Sequence, residues 1–268
     1  MGNEKSKNNI TDKPPKIYIA MACYDLVNIN TMLSIAKLAK EFTKAGLEWQ
    51  IETYKSPYVS CARNSLTALF LRSKYDYLLF IDSDVEFKPE AVIRMLVTKK
   101  DIVLTPYRIK IPEDPNLVKY TVSFENDKEI PVLSDLVEIK EGPAGLMLIH
   151  RKVFEFLMDS CTRLKINHPH KKESDPYLYN FWDTTFDMDH GLWRGEDISF
   201  CRLARDYGFK IYANIKSETI HHGNFGWKGK FEDTLTKDFL EEAEKEKKEL
   251  NESYQESLRQ AKERKEII

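Results

Sequence analysis

Two aspartates, Asp82 and Asp84, stand directly after the most apolar run of the chain, Tyr77-Leu78-Leu79-Phe80-Ile81. Side chains two residues apart on extended backbone share a face, so both carboxylates could reach one ligand. A hard divalent cation is the natural one, because it takes oxygen donors and shares them with substrate phosphates. The spacing alone is weak. Asp187-Met188-Asp189 repeats it with no apolar run before it, and a strand-end turn with aspartates bonded to backbone would account for either pair without chemistry. Three further groups add weight. Glu141-Gly142-Pro143-Ala144-Gly145 leads into the apolar Leu146-Met147-Leu148-Ile149, and glycines there would let backbone approach a ligand closely. Gly195-Glu196-Asp197 opens a helical run, where an acid is favoured by the helix N-terminus. His221-His222-Gly223 follows the last strand-like stretch, and a neutral imidazole is a competent cation ligand.

The elements that must hold these residues alternate. Residues 16–22 read as a buried strand, and residues 30–44 as a helix with Asn30 as its N-cap and Gly46 closing it. Residues 49–54 alternate as a strand does. Residues 60–73 carry Ala62, Leu66, Leu69 and Phe70 at helical spacing. Residues 77–81 suit a central parallel strand covered on both faces. Pro89 belongs in the first turn of a helix reaching about Thr98, and residues 101–105 form the next strand. This order predicts an open, mostly parallel α/β sheet with helices on both faces. Ligands in such sheets lie at the carboxyl ends of the strands, here just after Ala22, Ile81 and Thr105. The second half is less regular. Strands are expected at residues 137–139 and 146–149, a helix near Arg151, a helix from Glu196 to Tyr207 and a strand at residues 209–213, with a long aperiodic stretch at 161–195.

Composition excludes several classes. The 268 residues carry 41 basic and 43 acidic side chains, a formal charge of −2, which argues against a nucleic-acid binder resting on a basic surface. Hydrophobic residues at 42% can build a core, so the chain is not wholly disordered. No apolar run approaches the ~20 residues of a membrane span, and no apolar signal region is evident. Cys23, Cys61, Cys161 and Cys201 lie far apart, suggesting neither disulfide framework nor zinc knuckle. The expectation is a cytoplasmic protein (of the host cytoplasm if the source is a virus). Met1-Gly2 with Ser6 matches the acylation pattern, although an ordinary polar leader is the simpler reading. From Thr234 the chain lacks Gly and Pro and carries one apolar stripe, Leu235, Phe239, Ala243, Leu250, Tyr254, Leu258 and Ala261. A solvated helix with a docking edge, or a self-associating one, fits it.

Taken together and in this order, the motifs resemble the nucleotide-sugar-dependent glycosyltransferases of the GT-A fold, family 2-like. The resemblance spans about residues 16–230, through YDYLLFIDSDVEFKPEAV, EGPAGLMLIHRKVFE and GEDISFCRLARDYGFKIYA. It implies a Rossmann-like GT-A domain at 16–232, between a polar leader at 1–15 expected to be disordered and a charged helical tail at 233–268, both read from composition. It further implies an inverting transfer from a nucleoside-diphosphate sugar, UDP favoured, to the hydroxyl of a glycan or other acceptor, with Mn²⁺ or Mg²⁺ as cofactor. Asp197 would be the base and Glu196 would orient the acceptor. Ala22, Cys23, Tyr24, Asp25, Arg63, Asp82, Ser83 and Gly145 would hold the donor, with Lys228 and Lys230 adding charge. Asp84 and His221 would bind metal, with His222 and Asp82 as fallbacks, and Trp182 and Trp193 would form an acceptor platform. The family's usual proline at the first strand end is replaced by Met21-Ala22-Cys23, which leaves the base open. No nucleic acid or integral span is expected, and self-association through the tail stays open. Alternatives are a non-catalytic scaffold assembling through that tail, a metal-dependent phosphohydrolase, or a sugar-nucleotide nucleotidyltransferase. The last should show a Gly- and Arg-rich loop where MACYDLVN stands.

Overall fold

The computed structural model describes residues 13–114, 116–124, 135–167 and 175–234. The acylation pattern and the tail stripe lie outside them. In chain order the first elements are β1 (Ile17–Cys23), α1 (Ile29–Lys44), β2 (Trp49–Lys55), α2 (Val59–Arg72), β3 (Tyr77–Ile81), β4 (Val85–Phe87), α3 (Pro89–Val97) and β5 (Ile102–Leu104). There follow β6 (Leu136–Ile139), β7 (Leu146–His150), α4 (Arg151–Ser160), β8 (Thr185–Asp187), β9 (Leu192–Arg194), α5 (Glu196–Asp206), β10 (Ile211–Asn214), β11 (Glu218–His222) and β12 (Gly226–Lys230).

Seven strands form one sheet in the order β2-β1-β3-β7-β5-β10-β6. β1 is parallel to β2 and β3, and β5 to β10, while β7 runs against β3 and β5 and β6 against β10. Five strands thus share one direction, and the sheet is the mostly parallel one expected, flanked by helices on both faces. The strictly alternating first half gave no sign of the reversed strands. Both arise in the irregular second half, where β7 enters from the Gly142–Gly145 turn rather than from a crossover helix.

Alternation along the strands builds two cores. On one face Tyr18, Leu78, Phe80 and Met147 pack with Leu66 and Phe70 of α2, Phe154 of α4 and Phe200 of α5. On the other, Ile19, Leu79, Ile81 and Leu148 pack with Leu38 and Phe42 of α1 and Val92 and Met95 of α3. The spacing that marked α1 in the sequence therefore marks its buried side. Its N-cap is Asn28, whose side chain accepts the Asn30 N–H at 2.9 Å, two residues before the expected cap. β4, β11 and β12 form a second, three-stranded sheet in the order β12-β11-β4. Within the stretch expected to be a loop, β8 and β9 pair as a hairpin.

α2 is fixed at its far end by Arg151. The guanidinium donates to the carbonyls of Phe70 at 2.8 Å, Ser73 at 2.9 Å and Tyr75 at 2.7 Å. It thereby satisfies helix-end carbonyls that have no partner within the helix.

Candidate active site

Because Tyr77, Leu79 and Ile81 face the α1 side, the next position on the α2 side after Phe80 is Asp82. There it meets Arg63 of α2. The guanidinium gives one N–H to Asp82 at 2.7 Å and another to Glu196 at 3.1 Å, and it lies over the rings of Phe80 and Trp182 at 5.0 and 5.6 Å. Burial opposes its charge, but Asp82 and Glu196 hold it above its usual range. Arg63 is 2% exposed, so its fork binds two carboxylates rather than presenting itself to phosphate as expected. Asp82 also accepts the Tyr107 hydroxyl at 3.3 Å. Burial and the charges of Asp82 and Asp197 raise the Tyr107 phenol well above its usual value, which keeps it a donor. Gly145 closes the group, since a Cβ there would overlap the Asp82 carboxylate and lie 2.5 Å from the Tyr107 hydroxyl.

Trp182, expected as an acceptor platform, is fully buried. Its ring stacks on Phe200 of α5 at 4.2 Å and meets Phe80 of β3 edge-on at 5.0 Å, and its N–H donates to Thr67 of α2 at 3.0 Å. A side chain shared by three core elements cannot also present a face to sugar. Asn64 fastens it, accepting the Trp182 backbone N–H at 3.0 Å and donating to Asn180 at 2.9 Å. Trp193 on β9 is 75% exposed and leans on Phe186 at 5.2 Å.

After Asp82 the chain turns, with the Val85 N–H reaching the Asp82 carbonyl at 3.5 Å. This sends Asp84 toward β11 instead of leaving both carboxylates on one extended face. On β11 neighbouring side chains point oppositely, so the two histidines part company. His222 bonds Glu86 at 2.8 Å, whereas the Nε2 of His221 lies 3.6 Å from Asp84. The Nδ1 of His221 is 2.8 Å from the Arg108 carbonyl. A carbonyl only accepts, so Nδ1 carries a proton, and Nε2 is the ring nitrogen that faces Asp84. Lys110 bonds the other Asp84 oxygen. Burial pushes the Asp84 carboxyl up, but the adjacent His221 and Lys110 more than reverse this and hold it at about 2. The Tyr107 ring joins the two clusters, packing edge-on against His221 at 4.6 Å.

Opposite stands the start of α5. Gly195 caps the helix without a side chain, and a Cβ there would lie 2.8 Å from the Asp197 carboxylate, so the glycine makes room for it. Asp197 accepts the Ile198 N–H at 2.8 Å. Burial first, and the Glu196 charge second, push its carboxyl up to about 6 against the pull of Ile198 and Arg63. Glu196 is tied to Arg63 and cannot share that role.

The remaining expected residues lie around this centre. Ala22 is half-buried one residue before the end of β1, and Tyr24 is exposed beyond it, with Lys55 bonded to Asp25 at 2.8 Å and over the Tyr24 ring at 5.9 Å. Cys23 is half-buried at the same strand end. The Ser83 carbonyl accepts the Asn28 N–H at 2.8 Å. Lys228 faces Glu218 at 3.3 Å, and Lys230 faces Glu232 at 3.0 Å. The second aspartate pair is structural, for Asp187 accepts Arg194 at 2.9 Å across the β8–β9 hairpin. Sequence reasoning missed Tyr107, Arg108 and Lys110, although it pointed to the strand end after Thr105 from which they come. Cavities of about 850 and 620 Å³ open at the opposite end of the sheet, around Lys16, Tyr77, Asp101 and Lys152. None of the motif residues lines them.

Asp84 and the Nε2 of His221 make an oxygen-nitrogen pair suited to Mn²⁺ or Mg²⁺. Among the described residues no third His, Cys, Asp or Glu completes a metal group, so water and substrate oxygens would have to fill the coordination. No family model and no curated protein matches the chain. Solved structures with partial likeness include A197 from STIV, at 20% identity over 78% of this chain and 86% of that chain, TM-score 0.46. Another is a glycosyltransferase involved in the glycosylation of the major capsid of PBCV-1, at 11% over 60% and 72%, TM-score 0.33. A third, from Bacillus anthracis, is assigned as a glucose-1-phosphate thymidylyltransferase and was solved with sucrose, at 12% over 77% and 89%, TM-score 0.39. Likenesses this distant leave the chemistry to be read from the side chains.

Proposed function

We propose that the chain is a metal-dependent, inverting glycosyltransferase that moves a sugar from a nucleoside-diphosphate donor to a hydroxyl acceptor. The observation that carries this reading is two unlike carboxylates, Asp84 after β3 and Asp197 at the start of α5, both near enough to Tyr107 to act on its phenol. Asp84 is held ionised beside the His221 imidazole and the Lys110 ammonium, and Asp197 is raised to about 6 at the start of α5. Environments that drive two acids apart in this way assign them different work.

Asp84 and His221 would hold the divalent cation, which supplies Lewis-acid neutralisation of the departing diphosphate. Asp82 is fixed by Arg63 and Tyr107 to receive ribose or sugar hydroxyls beside the side-chain-free Gly145. Asp197 takes the proton from the acceptor hydroxyl as its oxygen attacks C1, and the electrons of the C1–O bond leave with the diphosphate. Glu196 steadies this arrangement through Arg63, and the exposed Trp193 is the aromatic face left for an acceptor.

Calorimetry with UDP and GDP, with Mn²⁺ or with EDTA, tests the reading. Asp84→Asn is expected to abolish the Mn²⁺-dependent part of nucleotide affinity. An Mn²⁺ dependence equal to that of the unmodified protein would overturn the assignment.

A further inference from the structure

The candidate metal pair has a charged contact that the transfer reading has not used. Lys110 follows β5 by six residues and places its ammonium on Asp84. We propose that Lys110 is a catalytic cation of the site: it bonds Asp84 in the nucleotide-free protein and passes to the donor's diphosphate when a divalent ion takes that carboxylate. The proposal rests on the glycosyltransferase reading and assigns a residue to its leaving-group side.

Four observations converge on Lys110. First, the other cations near the centre are engaged elsewhere. Arg63 is divided between Asp82 and Glu196, Lys55 holds Asp25, and Lys228 holds Glu218. Second, an ammonium has three donors, and Asp84 takes one; among the described residues no other acidic partner of Lys110 occurs. Third, the stem is guided. A Cβ on Gly223 would lie 3.3 Å from Lys110 Cδ and 2.9 Å from the Trp227 ring, so that glycine leaves the channel along which the lysine reaches Asp84. Fourth, the same loop orients His221 through the Arg108 carbonyl, which places Lys110 and the imidazole on two sides of one carboxylate.

The charges then decide what Lys110 does. A divalent ion and an ammonium on one carboxylate repel each other, so arrival of the ion releases the lysine. A nucleoside-diphosphate sugar carries about two negative charges near neutral pH, one per phosphate, and the divalent ion balances them. When the C1–O bond breaks, its electron pair adds one further negative charge to the leaving diphosphate. The freed ammonium meets that charge, which develops in the transition state and is absent from the bound donor.

The test uses the full chain and two probes, UDP and Mn²⁺, with Lys110→Met and Lys110→Arg. At saturating Mn²⁺, Lys110→Met is expected to bind UDP on the order of tenfold more weakly than the unmodified protein, the usual worth of a charged hydrogen bond, while Lys110→Arg stays close to it. For Mn²⁺ alone, followed by electron paramagnetic resonance, Lys110→Met is expected to bind more tightly, because the competitor for Asp84 is gone. A lysine that only neutralised Asp84 would also strengthen Mn²⁺ binding when removed, but its removal would not weaken UDP binding at saturating Mn²⁺. Equal UDP affinity at saturating Mn²⁺, or unchanged or weaker Mn²⁺ binding, overturns the role of Lys110 and leaves the transferase reading standing. Failure of the unmodified protein to bind either UDP or GDP with Mn²⁺ overturns both.

Discussion

Asp197 and Glu196 are adjacent in sequence, yet burial and partners give them different tasks. Arg63 keeps Glu196 in a salt bridge, while Asp197 has one backbone N–H and a carboxyl raised to about 6. A carboxyl raised in the fold contributes stability below its ordinary range, and that contribution is lost as pH rises through the folded value. Asp197→Asn mimics the protonated form, so it is expected to raise the melting temperature near pH 8 and leave it nearly unchanged near pH 4. As the base, Asp197 must be ionised, so transfer by the unmodified protein is expected to climb with pH through about 6. The Asn variant should lose about 10²–10⁴ of turnover while keeping nucleotide affinity. Released nucleoside diphosphate followed across pH checks this, and a flat profile places the base elsewhere. Residues of this kind were legible because a carboxylate at a strand end or helix start is conspicuous in sequence. Tyr107 and Lys110 were not, since they sit in a loop whose shape comes from its packing on β11 and β12 rather than from any period of its own. Trp182 was misread for a related reason. An aromatic in a polar, aperiodic stretch looks like a surface platform until its backbone is seen fastened by Asn64 inside the core.

Among the elements, the long ones announced themselves and the short ones did not. α1, α2 and β3 carry enough apolar residues at one period to be read, and Asn28 and Asn30 differed as caps only in which one the chain turned into the bond. β4, β11 and β12 have three to five residues each, several of them polar, Gly or Lys, and pairing rather than composition makes them strands. That small sheet is what separates His221 from His222. Trp182 has the corresponding part on the other side, holding α2, β3 and α5 together and with them Arg63, Asp82 and Asp197. Trp182→Ala is expected to cost ~3–5 kcal/mol in urea unfolding, as for other buried aromatics. Trp193→Ala is expected to stay within about 0.5 kcal/mol and to raise the acceptor KM, because its exposed ring packs against little. A Trp182 variant of undiminished stability would contradict its place in the core, and an unchanged KM for Trp193→Ala would remove that residue from acceptor binding.

At the scale of the whole molecule, a net charge of −2 means that anionic donors are not gathered by a broad basic surface. Their affinity has to come from the few groups drawn together at one end of the sheet. All of those groups lie between Ala22 and Gly223, and the last described turn is closed by the Thr234 N–H on the Phe231 carbonyl at 3.0 Å. The charged tail beyond it has the composition of a helix and an apolar stripe broken by Lys247, where a continuous coiled coil would place an apolar residue. Removing residues 235–268 therefore separates two properties. Binding of UDP or GDP with Mn²⁺, measured by calorimetry, is expected to match that of the full chain, because no group of the site is lost. Light scattering is expected to show fewer chains per particle for the shortened protein if the stripe joins copies of it. An equal number of chains per particle would reduce the stripe to a docking edge within one chain, and a loss of nucleotide affinity would mean that the tail reaches the strand ends and belongs to the site.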